Sequence, residues 1–178
     1  MAKVDQMLEN HRMERITIQK PPGPWNSLQY WAHFRNPIAV IWNFLIIYAN
    51  RFNPSENLKN VLYRLTGMKV GKRCSFGLCA MVDIFYPHLI TVGENCIFGY
   101  DCVLLAHEFL QHEWRTGPVV IGNSVTVGTK CTILPGVVIG DGAVISAMSL
   151  VNKDVPPYTV VGGVPIRVLS TVPEEERA

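Results

Sequence analysis

The chain has 178 residues, enough for one domain with a modest core or for a domain with a helical cap. Its net charge of +2 is small and no Lys/Arg stripe carries interleaved aromatics, so nothing argues for nucleic acid. Near the start, no apolar run ends in a small-residue cleavage site, and the five cysteines form no C-x-x-C pair, so the sequence reads as cytoplasmic with reduced thiols.

Residues 1–23 are polar and of mixed charge, and a breaker cluster at Pro21-Pro22-Gly23-Pro24 closes them. They read either as a short helix or as a poorly ordered arm. Eight aromatic residues then crowd between Trp25 and Phe52. Pro37 opens a predicted helix, because proline suits a first turn. From Ile38 to Ala49 this helix is apolar on almost every side, broken only by Asn43. It is shorter than the about 20 residues that cross a bilayer. One reading packs it on the rest of the chain or on a neighbouring subunit. A sharper one is peripheral membrane contact through residues 25–52, with Arg35, Arg51, Lys59 and Arg64 facing lipid head groups. A second helix is predicted from Ser55 to Leu65, with Ser55 as its cap. Leu58, Val61, Leu62 and Leu65 share one face, expected to plug the open end of a repeat that begins at Val70. Gly67 stops the helix.

From Val70 to Pro156 an apolar residue returns every six positions: Val70, Phe76, Val82, then Val92, Phe98, Leu104, then Ile121, Val127, Ile133, Ile139, Ile145 and Val151. This period fits neither a helix nor a single strand and points to a β-solenoid. Glycine follows the apolar residue in seven of the twelve units, as sharp corners and close backbone approach require. The fifth position is small and includes Cys74, Cys96, Cys102 and Cys131, which read as wall residues. Three hexads would make a triangular coil of eighteen residues, giving about four coils. Both interruptions, His88 to Thr91 and Leu110 to Val120, then fall at one corner, which marks that edge as the functional side. Pro156-Pro157 ends the repeat. Val160 to Pro165 reads as an extended return, and Glu174, Glu175 and Glu176 as a solvated tail.

The segments VGENCIFGYDCVLLAHEF, VVIGNSVTVGTKCTILPGVVIGDGAVI and VNKDVPPYTVVGGVPIRVL resemble the left-handed β-helix hexapeptide-repeat acyltransferases. Among these the maltose and galactoside O-acetyltransferase branch is most similar, over about Met68 to Leu169. The resemblance implies a mainly β fold: a left-handed parallel β-helix with N-terminal α-helices. Its parts would be a helical and aromatic cap at 1–67, a catalytic β-helix at 68–157, and a return segment with tail at 158–178. It also implies a homotrimer with its active site between subunits.

Within Leu105-Ala106-His107, the resemblance makes His107 the catalytic base, and imidazole suits that work near neutral pH. The implied reaction is direct transfer from acetyl-CoA to a sugar or glycan-like hydroxyl. A membrane-linked or cell-envelope acceptor is the alternative. Glu108, in a column that is usually small, would orient His107 or bind the acceptor, or simply be a solvated corner carboxylate. Asp83, where most hexads have glycine, falls in the region that supplies an acceptor contact. Trp114 would stack on sugar or adenine, or pack at a rim. The implied oxyanion donor is the backbone N–H of Thr129. Coenzyme A would be held by Thr129, Ala147, Asn152, Lys153 and Arg167, with Ser170 replacing a second arginine usual in the family. The γ-type carbonic anhydrases share the solenoid, and the spacing of His107 and His112 resembles one of theirs. His88 stands at the wrong distance to complete three ligands, so no metal is expected. A non-catalytic solenoid is disfavoured by His107 and the VNKDVPP segment.

Overall fold

The structure is a computed structural model that describes residue 8 and residues 11–177. The start of the N-terminal segment, where a helix is one of the two expectations, lies outside the described residues. From His11 onward this segment is not a loose arm. A 3-10 turn at Arg12–Arg15 leads into strand β1 (Thr17–Gln19). A short turn of helix, α1 (Trp31–Phe34), precedes α2 (Pro37–Asn50) and α3 (Glu56–Leu65). Pro37 does open α2, and the Asn36 side chain accepts from the Ile38 N–H at 2.9 Å. Ser55 caps α3 through the Leu58 N–H.

The hexads become a left-handed parallel β-helix. Coil one is β2 (Lys69–Val70), β3 (Ser75–Phe76) and β4 (Met81–Val82). Coil two is β5 (Ile90–Val92), β6 (Ile97–Phe98) and β7 (Val103–Leu104). A hairpin of β8 (His107–Phe109) and β9 (Trp114–Thr116) then leaves the coil, and β1 adds to its edge. Coil three is β10 (Val119–Ile121), β11 (Thr126–Val127) and β12 (Thr132–Ile133). Coil four is β13 (Val138–Ile139), β14 (Val144–Ile145) and β15 (Leu150–Val151). The repeat runs one strand past the expected stop at Pro156-Pro157: β16 (Thr159–Gly162) stacks in parallel on β14. Antiparallel β17 (Arg167–Thr171) closes that sheet.

All twelve hexad residues are buried, and they stack in register, Val70 on Val92 on Ile121 on Ile139 for instance. Each such side chain contributes about 1.5–3 kcal/mol by leaving water. Phe76 and Phe98 lie face to face with centroids 4.5 Å apart. The wall thiols are buried as expected. Each points at a carbonyl of the next rung, Cys102 Sγ at Gly128 O at 3.0 Å for example.

Glycine and the left-handed corners turn out to occupy different columns. Seven non-glycine residues three positions after the apolar one, Arg73, Cys79, Asn95, Asp101, Ser124, Lys130 and Met148, have φ between 52° and 63°. The glycine column instead permits contact between rungs. A Cβ on Gly99 would sit 2.5 Å from the Thr129 backbone nitrogen.

The expectation for α3 is corrected. Its apolar face does not plug coil one: Leu58, Val61 and Leu65 are exposed, and Lys59, Asn60 and Tyr63 are buried instead. The first coil presents unpaired strand edges, which apolar side chains cannot satisfy. Lys59 Nζ donates to Phe76 O at 2.5 Å and Asn60 Nδ2 to Cys74 O at 2.7 Å. Glu56 accepts from the Phe76 N–H at 2.9 Å. Lys59 therefore cannot face lipid head groups. From α2, Asn43 plays the same part, donating to Ile84 O at 3.0 Å.

Candidate active site

The corner that follows β4 and β7 gathers the candidate chemistry. Asp83 comes directly after β4, and its side chain is fully buried. Its Oδ1 accepts from the backbone N–H groups of Phe85 and Tyr86 at 2.8 and 2.9 Å. Its Oδ2 accepts from the Ala106 N–H at 2.7 Å and also meets His107 Nδ1. With three N–H groups fixing these oxygens as acceptors, the hydrogen shared with His107 belongs to Nδ1. In the neutral ring, Nε2 then carries the lone pair. The His107 side chain is 14% exposed. Phe85 and Phe109 stand edge-on to its ring, with centroids 5.0 and 4.7 Å away, and Tyr86 lies tilted at 5.9 Å. Burial raises the Tyr86 phenol, so it stays protonated near neutrality.

Two expected roles change. Glu108 does not orient His107; it accepts from Arg12, whose Nε also donates to Pro135 O at 2.6 Å. Glu108 thus ties the N-terminal segment to the coil, and Asp83 takes the place beside the imidazole. Being buried, Asp83 has no face for an acceptor. Trp114 is 3% exposed and lies against Phe34 with centroids 3.4 Å apart, so no stacking face is open to sugar or adenine. The aromatic walls and Arg12 escape sequence reasoning. Phe109 directly follows Glu108 and lies near enough to suggest a wall, but Arg12 is 96 residues from its partner.

The residues matched to coenzyme A occupy two other places. Thr129 and Ala147 are exposed on the corner between the β11/β14 sheet and the β12/β15 sheet. That is not the corner of His107, which lies between the β7 sheet and the β5 sheet. Lys153 and Arg167 line a cavity of about 460 Å³ with Val164, Pro165 and Ile166. Nearby in the chain, Asn152 Oδ1 is buried and has no hydrogen-bond partner among the described residues. A second cavity, about 320 Å³, lies beside Phe109 and is lined also by Asn26, Leu28, Leu110 and Gln111. Among the described residues, no group of three His, Cys, Asp or Glu side chains is placed to hold a metal ion.

Residues 118–153 match the family model of the bacterial transferase hexapeptide (six repeats). The chain is 48% identical over 161 residues to "Putative acetyltransferase YvoF" of Bacillus subtilis (strain 168), covering 90% of this chain and 94% of that protein. It is 36% identical over 103 residues to the galactoside O-acetyltransferase of Escherichia coli (strain K12), covering 54% of this chain and 51% of that one. A solved galactoside acetyltransferase in complex with coenzyme A superposes with a TM-score of 0.61 at 26% identity, covering 79% of this chain and 84% of that one.

Proposed function

The chain belongs to the bacterial hexapeptide-repeat acetyltransferases, and from that premise we propose that it transfers the acetyl group of acetyl-CoA directly to a hydroxyl of a sugar or glycan-like acceptor, with His107 as general base. The observation that carries this reading is the Asp83–His107 pair, which holds the ring so that, when neutral, it presents Nε2 as the base.

In the proposed step, Nε2 takes the acceptor's proton as its oxygen bonds to the thioester carbonyl carbon. The carbonyl π pair moves onto oxygen, and the backbone N–H of Thr129 stabilises the oxyanion. Collapse breaks the C–S bond. His107 returns the proton to the departing thiolate, giving the acetyl ester and free coenzyme A. Asp83 holds the ring through both transfers and is a positioning residue. For coenzyme A, Lys153 and Arg167 offer cationic charge to phosphate.

This reading requires a second subunit. Thr129 and His107 lie on different edges of one prism, so a site using both must join edges of neighbouring chains. We place that site in a homotrimer. An acceptor panel of sugars and amines, with acetyl-CoA and thiol release as the readout, tests the chemistry. Release that depends on hydroxyl acceptors is expected. Release with amines alone would overturn ester formation.

A further inference from the structure

The two-helix cap is built inside out. Its polar side chains point at the coil: Lys59, Asn60, Glu56 and Asn43 are all spent on backbone groups of coil one and its corner. Among its apolar side chains, Val40, Ile47 and Tyr63 are buried, and most of the others point away. On α2, Ile38, Ile41 and Leu45 follow helical spacing and are 77%, 56% and 59% exposed. On α3, Leu58, Val61 and Leu65 are 49%, 48% and 55% exposed. Trp42 Nε1 donates to Leu65 O at 3.3 Å, which joins the two stripes into one surface. Soluble monomers rarely leave so continuous an apolar patch uncovered.

Charge says what covers it. Residues 31–82, which hold the cap and coil one, carry seven Lys/Arg and a single acidic residue, Glu56. The rest of the chain carries nine Lys/Arg against thirteen Asp/Glu. The small net charge therefore conceals a cationic end that coincides with the apolar face. Lys69, Lys72 and Arg73 are exposed on coil one, and Arg64 lies beside Leu65. A second copy would bring like charge onto like charge. An anionic lipid surface matches both the apolar area and the sign. Among the described residues no helix is long and apolar enough to cross a membrane, so the face would lie on the bilayer rather than span it.

We infer that the outer face of α2 and α3 docks this chain on the surface of an anionic bilayer. The cap faces the head groups and the coil stands away from them. His107 follows coil two, one rung of about 5 Å beyond coil one, close to the docked surface. The inference rests on the cap and the adjoining cations of coil one and does not depend on the proposed chemistry.

Co-sedimentation of the full chain with vesicles of phosphatidylcholine, with and without phosphatidylglycerol, tests it. Binding is expected to the phosphatidylglycerol vesicles and should weaken with salt. Neutralising Lys69→Gln with Lys72→Gln should weaken it by about thirtyfold. Ile41→Ser with Leu45→Ser should abolish it while leaving acetyl transfer to a soluble acceptor unchanged. No binding at low salt overturns the inference. So does binding that is indifferent to phosphatidylglycerol and to the lysine substitutions. Vesicle-independent association that the serine pair abolishes, without lipid binding, would assign the face to a second copy and overturn it as well.

Discussion

At the scale of single residues, the site depends on which carboxylate faces the imidazole. Asp83 is fully buried, accepts three backbone N–H bonds and meets Nδ1, so it can fix the ring's tautomer and angle. Glu108 is committed to Arg12. His107→Ala should lower kcat by about 10² or more. Asp83→Asn should lower kcat by about 10² with little change in the KM for acetyl-CoA, since it alters the tautomer and not the donor's groove. A matching rise in KM would show that Asp83 shapes the groove instead. Glu108→Gln should cost less than about tenfold in kcat, because it loosens a tether and does not touch the imidazole. Steady-state kinetics on the three variants separates these outcomes. The hexad frame made Asp83 visible as an intruder in a glycine column, but its role was not legible. A pairing across 24 residues depends on how the corners stack, and no local spacing reports that. The Arg12–Glu108 pair was hidden for the same reason.

For the elements, the hexad period set nearly all of the β-helix in advance, because one inward residue per strand is the physical requirement of a narrow prism. The frame even placed both insertions on one edge. It did not reveal that the second insertion returns as a hairpin, or that β16 extends the stack beyond the Pro156-Pro157 pair. The cap misled for an instructive reason. An amphipathic helix ordinarily turns its apolar face inward, but the first coil offers backbone donors and acceptors, and those select the polar face. Unfolding by urea should expose the difference. Tyr63→Ala, which removes a fully buried ring stacked edge-on to Phe76 at 4.8 Å, should cost about 3–5 kcal/mol. Leu58→Ser and Val61→Ser should each cost about 0.5 kcal/mol or less. Lys59→Met should cost about 1–3 kcal/mol, because it leaves the Phe76 and Gly77 carbonyls without their donor. A larger loss from the leucine and valine changes than from Tyr63→Ala would restore the inward apolar face.

For the whole molecule, the decisive fact is the separation of corners. One chain holds His107 on one edge, while Thr129 and Ala147 sit on another. The proposed chemistry therefore belongs to a seam between chains, and a closed ring of three would give three equivalent seams. Light scattering should return three times the chain mass. A parallel ring would also gather the three cationic, apolar caps at one end, where a bilayer could meet them together. The seam itself is tested most directly by complementation. Chains carrying His107→Ala and chains carrying Ala147→Glu, which fills the proposed coenzyme A groove at an exposed position, should each form inactive trimers. Refolded together in equal amounts, they should regain about a quarter of the normal acetyl-transfer rate, because every mixed trimer then contains one seam with both native residues. Mixed trimers as inactive as either parent would contradict a site shared between chains.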